Sequence, residues 1–272
     1  MSNISAVWWN GGFPLSVHLL ITTKCNLSCP KCFYRKENEG EIAFDVIARL
    51  LEEWQGRVLS VAIGGGEPLL HPDIGRIVLE AKKREIFVAI TTNGTIDPWK
   101  VLNPYVTPDR VHISFDRIHP ITKTEVEDAL KNFADLSVKH LGINHIITDA
   151  DALEGALSLK GTENVTLLLE KPVPRECDWD KILKLTRNEG NRVWWDPCLV
   201  KYLNSRGIWY LTKQPCRQGI TSMAIDQFLQ ASICSNNALR VEYTTLEETW
   251  QRVRKITCPL TTETFCAKQN SR

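Results

Sequence analysis

The sequence has no apolar run long enough to span a bilayer, and it does not open on a basic segment followed by an apolar core. A cytoplasmic chain with no membrane partner is therefore expected. Net charge is nearly absent: 33 Lys and Arg against 32 Asp and Glu leave +1, which removes the electrostatic ground for expecting a nucleic-acid partner. Low-complexity tracts are missing, and with 43% hydrophobic and 24% charged residues over 272 positions a disordered majority is excluded. The one basic run, Lys82-Lys83-Arg84, reads as the last turn of a helix, where positive charge suits the dipole. Cysteine, by contrast, is plentiful, with nine in the chain. A reducing cytosol disfavours disulfides, so metal or redox chemistry accounts better for the thiols. Nine tryptophans, some paired as Trp8-Trp9 and Trp194-Trp195, suit core packing or stacking on a ligand.

Three of the cysteines lie in one short loop, Cys25-Asn-Leu-Ser-Cys29-Pro-Lys-Cys32-Phe33-Tyr34, straight after the apolar run Val17 to Thr22. Pro30 opposes a continuous helix through them, so the three thiolates can converge on one small inorganic cluster. No fourth cysteine is near in sequence; a structural zinc site is closed by four protein ligands, whereas a four-iron cube with three protein thiolates keeps one iron open. Buried or zinc-binding cysteines are the other reading of these residues.

The order of elements suggests a fold. Val58 to Ile63, Ile86 to Thr91, Arg110 to Phe115, Ile143 to Ile147 and Val165 to Leu169 are apolar, β-rich runs. Between them come helix-periodic stretches: Ile42 to Trp54, a helix from about Pro72 with Ile74, Ile77, Val78 and Ala81 on one face, and a short one at Val101 and Leu102. Further helices carry Val126, Leu130, Phe133 and Leu141, then Asp151 to Leu159, then Trp179, Ile182, Leu183 and Leu185. With the first run this gives six successive strand–helix pairs, hence an α/β chain with a parallel sheet covered by helices, a partial (βα)6 TIM-like barrel. Such barrels place their chemistry where strands end, and glycines and charged residues gather there. Val193 to Asp196 suits one more strand; from Cys198 the helix alternation is expected to stop. The expected organisation is an N-terminal extension over 1–15, the barrel over 16–196 and a small cysteine-rich extension over 197–272.

Cys25, Cys29 and Cys32 in Cys-x3-Cys-x2-Cys spacing after a first strand resemble the signature of the radical S-adenosylmethionine (radical SAM) enzymes. The resemblance implies a [4Fe-4S] cluster with one open iron, chelated by the amino and carboxylate groups of S-adenosylmethionine. It implies reductive cleavage to methionine and a 5′-deoxyadenosyl radical that abstracts hydrogen from substrate, and a low-potential electron donor such as flavodoxin or ferredoxin. Gly64-Gly65-Gly66-Glu67-Pro68 resembles the family's Gly-Gly-Glu motif, which makes Gly65, Gly66 and Glu67 cofactor contacts. Asn93 of Thr92-Asn93-Gly94, and Ser114 and Asp116 after the fourth strand, match further cofactor-lining positions, and Phe33 and Tyr34 are candidates to meet the adenine. Where the family commonly has an aromatic just before the third cysteine, this chain has Lys31.

Cys216-Arg-Gln-Gly219, Met223-Ala-Ile225-Asp226 and Ser232-Ile233-Cys234 resemble the hairpin that opens the family's SPASM, or shorter twitch, extension, with Leu229 where a glycine is usual. That resemblance implies an auxiliary iron–sulfur cluster on Cys216, Cys234, Cys258 and Cys266, with Cys198 as a substitute ligand; a four-thiolate zinc site or simple burial are the alternatives. Cys177 reads as a free thiol. No catalytic side chain is singled out, although Glu170, Lys171 and Asp196, near late strand ends, are placed to position substrate or move a proton, while His18, His112 and His145 read as sheet residues. SPASM and twitch members commonly modify peptides, so a peptide is the first substrate expected, although no peptide-recognition domain is apparent before the first strand. A small-molecule or nucleotide-derived substrate is the second expectation, and a non-catalytic iron–sulfur electron carrier or zinc-stabilised module the alternative from another class.

Overall fold

A computed structural model describes residues 11–32, 34, 39–170, 177–208, 216, 218–235 and 237–258. The chain runs β1 (Ser16–Thr22), α1 (Phe44–Trp54), β2 (Ser60–Gly65), α2 (Ile74–Lys83), β3 (Phe87–Thr92), β4 (Arg110–Ser114) and α3 (Lys123–Asp135). It continues through β5 (His140–Ile147), α4 (Ala150–Leu157), β6 (Asn164–Leu169), α5 (Trp179–Asn188), β7 (Val193–Trp195) and α6 (Pro197–Ser205). The last elements are β8 (Ser222–Ile225), β9 (Gln230–Ser232), β10 (Val241–Glu242) and α7 (Leu246–Val253). Among the described residues all ten strands join one sheet in the order β10-β9-β8-β1-β2-β3-β4-β5-β6-β7. From β8 to β7 every pairing is parallel; only β9 and β10 run against their neighbours. This is the mostly parallel α/β sheet of a partial TIM barrel, with a cysteine-rich C-terminal stretch.

Strand alternation divides the sheet into two faces. Val17, Leu19, Ile21, Val61, Ile63, Val88, Ile90, Val111 and Ile113 are all but fully buried and share one core with the apolar stripes of the helices. On α2 that stripe is Ile74, Ile77, Val78 and Ala81, as the periodicity predicts, and Lys82, Lys83 and Arg84 close its C-terminal turn. Registered neighbours on the other, concave face include His18 beside Ala62, Ala62 beside Ala89, His112 beside Gly142, and Asn144 beside Thr166.

Three local expectations are corrected. Leu141 belongs to β5, because α3 ends at Asp135 and Ser137 turns the chain with φ 61. Val101 and Leu102 follow a single 3-10 turn, Pro98–Lys100, opened by the Asp97 carboxylate accepting from Trp99 N. The alternation does not stop at Cys198: Asp196 caps α6 by accepting from Cys198 N at 3.0 Å, Pro197 opens its first turn, and Leu199, Val200 and Leu203 are buried. Trp194 is 42% exposed and lies over Arg110, whose guanidinium carbon is 5.2 Å from the ring centroid; Trp8 and Trp9 fall outside the described residues.

The β8–β9 hairpin carries its own strain. Asp226 O accepts from Leu229 N, Asp226 N donates to Gln230 O, and Leu229 holds φ 57, the left-handed conformation usual for a glycine at this bulge. The chain thus keeps the backbone of a glycine hairpin with a leucine in it. Leu229 packs partly against the core, so Leu229→Gly exchanges lost contacts for relieved strain and is expected to stay within about 1 kcal/mol of native in denaturant unfolding. Leu229→Val, β-branched at positive φ, is expected to lose about 1–2 kcal/mol.

Candidate active site

The cysteine loop leaves β1 and is sewn to β2 at its root. Gly66 N donates to Thr22 O and Glu67 N to Lys24 O, both at 2.7 Å. A Cβ on Gly65, whose φ is +133, would lie 2.3 Å from Thr22 O, and one on Gly66 would lie 2.2 Å from Lys24 O. Only glycine permits two backbones to run this close. The loop is closed further on by Thr23 N donating to Gly40 O at 2.9 Å, Gly40 N to the Thr23 hydroxyl at 2.8 Å, and a Lys24–Glu41 ion pair.

Glu67, fully buried, ties β2 to β3. Its carboxylate accepts from Leu69 N at 3.0 Å, the Thr92 hydroxyl at 2.8 Å and Asn93 N at 2.7 Å. Burial pushes its carboxyl up from the ordinary value, against the downward pull of these donors. Asn93, so fixed, donates from Nδ2 to Asn26 Oδ1 at 3.0 Å and lies 3.9 Å from Cys25 Sγ, while Asn26 donates to the Thr95 hydroxyl at 2.7 Å. The third strand end therefore grips the loop between its first two cysteines.

Asp116, just past β4, has a buried carboxylate that accepts from Ile118 N, His119 N and His119 Nδ1, and from Ile146 N at 3.2 Å. Burial alone raises its carboxyl, but the His119 bond and charge together with the backbone donors outweigh it and hold Asp116 below the ordinary value. Ser114, half-buried, ends β4 in register with Asn144. Tyr34 is buried, with its hydroxyl donating to the Gln227 side chain in the β8–β9 turn; burial first, then the Asp226 charge, raises the phenol. Phe33, Lys171 and Cys266 lie outside the described residues.

Cys29 is buried, while Cys25 and Cys32 are exposed. Partial loss of water contact raises the thiols of Cys25 and Cys29, and the charges of the neighbouring thiolates add to it, with Glu67 acting on Cys25 and Asp116 on Cys29. Thiolates under such mutual repulsion form readily only beside a cationic centre, which is what an iron cluster provides. Among the described residues no three His, Cys, Asp or Glu side chains converge as one small metal ion requires. The donor set, three thiols on a loop gripped from β2 and β3, fits a cluster with one iron left open.

The C-terminal thiols are spread over several segments: Cys216 is exposed, and Cys198, Cys234 and Cys258 are half-buried. Asn237 draws two of these segments together, its N donating to Cys234 O at 3.2 Å and its Nδ2 to Thr257 O at 3.4 Å. Cys177 donates to Thr148 O at 3.3 Å. His145 is a buried sheet residue whose Nδ1 bonds Phe115 O at 2.7 Å, and His112 Nδ1 bonds Asn144 Oδ1 at 3.0 Å. His18 is pushed down by burial despite the Asp196 charge. Sequence reading passed over Asn26, Thr95 and His119; the last is signalled only by its place three residues after Asp116. It also gave no partner for Lys31, whose Nζ lies 2.5 Å from Glu170 Oε1.

A sequence profile described as the Radical SAM superfamily matches residues 19–149. The S-adenosylmethionine-dependent nucleotide dehydratase of Selenomonas ruminantium is 29% identical over 161 residues, covering 56% of this chain and 57% of the relative. The GTP 3′,8-cyclase of Clostridium acetobutylicum is 28% identical over 180 residues, covering 58% and 53%. The chain thus spans little more than half the length of these relatives. Among solved structures, SuiB of Streptococcus suis bound to precursor peptide SuiA superposes with a TM-score of 0.71 at 17% identity, covering 90% of this chain and 67% of that one. AnSMEcpe with bound AdoMet gives 0.65 at 19% identity, covering 89% and 78%. With its motif, its partial barrel and these relatives in agreement, residues 19–149 are a radical SAM domain, of the superfamily whose members use a four-iron cluster and S-adenosylmethionine.

Proposed function

We propose that this chain is a radical SAM enzyme that modifies a peptide, with Cys25, Cys29 and Cys32 as the three protein ligands of its [4Fe-4S] cluster. Once bound and reduced, that cluster supplies the electron that cleaves S-adenosylmethionine and so starts hydrogen abstraction from substrate. The chain's own part is positional. Gly65, Gly66 and Glu67 present the end of β2, Asn93 braces the loop at Cys25, and Ser114 and Asp116 present the end of β4, with Phe33 and Tyr34 kept as the candidates to meet the adenine. Cys216, Cys234, Cys258 and Cys266 are the proposed ligands of an auxiliary cluster in a SPASM- or twitch-like extension over 197–272. A flavodoxin- or ferredoxin-like donor and a cytoplasmic location complete the reading; no helix among the described residues is long and apolar enough to cross a membrane.

The observation that favours a peptide is the chemistry of the hollow. Strands β1 to β7 contain a single Lys, Arg, Asp or Glu, Arg110, and it sits at the N-terminal end of β4 between the rings of Phe87 and Trp194. A nucleoside triphosphate needs several cations for its phosphates. The concave face instead offers neutral hydrogen-bonding groups: Asn144 bonds His112 and reaches Thr91 at 3.5 Å, and Asn164 bonds Thr166 at 3.0 Å. Such groups suit peptide amides. SuiB bound to precursor peptide SuiA, and anSMEcpe with bound AdoMet and Cp18Cys peptide, share the fold.

The second reading, a nucleotide substrate, rests on the dehydratase and cyclase, each similar over more than half of this chain. Reduced, reconstituted enzyme with S-adenosylmethionine separates the two: 5′-deoxyadenosine release is expected to rise with members of a peptide library and not with GTP or CTP. Stimulation by the nucleotides alone overturns the peptide reading.

A further inference from the structure

The half-barrel is not closed by strand pairing, since β1 gives its outer edge to β8 and β7 ends the sheet. At the mouth, side chains bridge what the strands do not. Asn26 reaches Thr95 beyond β3, and Tyr34 reaches Gln227 in the β8–β9 turn. The third bridge is the ion pair from Lys31, between Cys29 and Cys32, to Glu170, the residue after β6. It joins positions 139 apart, and the Glu170 side chain is only 1% exposed while Lys31 keeps 42%.

A buried carboxylate is costly to keep charged without a cation beside it, and a lysine inside a cluster-binding loop adds positive charge where electrons arrive. Together the two groups are neutral. We propose that Lys31 and Glu170 act as a charge-balanced clasp that seats the loop across the mouth and holds down the reduction potential of the cluster. This rests on the reading of Cys29 and Cys32 as cluster ligands. The two residues are positioning residues: neither is assigned contact with substrate. With Glu170 neutralised, the Lys31 cation is left uncompensated, the reduced cluster is favoured, and the midpoint rises. With both neutralised the local charge balance returns, so the midpoint returns with it.

The test is an anaerobic potentiometric titration of the reconstituted full-length chain, followed by electron paramagnetic resonance, with iron counted in parallel. Glu170→Gln is expected to raise the reduced-to-oxidised ratio about tenfold at fixed potential, a shift of about 59 mV for a one-electron couple. The double variant Lys31→Met/Glu170→Gln is expected to fall within about threefold of native. A Glu170→Gln midpoint within threefold of native overturns the proposal. So does a double variant displaced as far as Glu170→Gln, or an iron loss in Glu170→Gln that the double variant does not restore, since either means that the pair serves only as a structural tie. A native chain with no cluster signal sinks the ligand assignment, and the clasp with it. A normal native signal with an unmoved Glu170→Gln sinks the clasp alone.

Discussion

Gly66→Ala is expected to strip iron from the protein while leaving most of the sheet folded. The new methyl would sit 2.2 Å from Lys24 O and 2.7 Å from Thr23 O, and both are backbone atoms that cannot swing aside as a side chain can. Relief requires the root of the cysteine loop to move away from β2, breaking the 2.7 Å bonds from Gly66 N to Thr22 O and Glu67 N to Lys24 O. Overpacking of this kind costs about 1–3 kcal/mol. The effect on the site is larger than that figure suggests, because Lys24 is the residue before Cys25 and its displacement spoils the convergence of three thiols at once. Of about eight irons per chain after reconstitution, the four at the triad are expected to fall at least about fivefold, which leaves under about five in all, with far-ultraviolet circular dichroism close to native. Gly155→Ala makes a control for the added methyl, since nothing lies within 4 Å of its Cβ position and its φ is not positive. Native iron content in Gly66→Ala would show that the close approach is dispensable.

Glu67→Ala is expected to cost about 3–5 kcal/mol, since it leaves three donors without an acceptor in a buried site and each orphan costs about 1–3 kcal/mol. The donors are Leu69 N, the Thr92 hydroxyl and Asn93 N, and the Glu67 side chain that meets them is wholly excluded from water. Thr92→Val removes one donor from the carboxylate, which keeps two, and the acceptor of Gly94 N, so about 1–2 kcal/mol is expected there. Urea unfolding of both variants reads the difference. Asn93 is set by this carboxylate and in turn reaches Asn26 and Cys25, so Glu67→Ala also loosens the loop. A Glu67→Ala chain as stable as Thr92→Val would mean that the three bonds do not act together.

The barrel was legible because its strands are buried on one face by Val, Ile and Leu at alternate positions, and its helices by stripes such as Ile74, Ile77, Val78 and Ala81. Leu141 misled because an apolar residue six places beyond the end of α3 still falls near helical period, while the turn at Ser137 carries no Gly or Pro to mark it. Helix α6 was hidden by attention to its cysteine, although Asp196-Pro197 is an ordinary helix start. The triad, the glycines and Asn93 could be read because their spacing is local. What they touch could not: the space beside Gly65 and Gly66 is filled by the backbone of Thr22 to Lys24. Pairings such as β1 with β8, Tyr34 with Gln227 and Lys31 with Glu170 join positions far apart in the chain, and no local pattern encodes them. Leu229 shows the reverse case, a departure in sequence that leaves the backbone of the motif unchanged.

The central claim is that Cys25, Cys29 and Cys32 hold a four-iron cluster with an iron left for S-adenosylmethionine. Its most direct test is anaerobic reconstitution of the native chain and of the Cys25/Cys29/Cys32→Ala variant, with iron counted and 5′-deoxyadenosine measured after reduction. The prediction is about eight irons per chain falling to about four, with cleavage abolished. A variant that keeps its full iron and still releases 5′-deoxyadenosine would contradict the account.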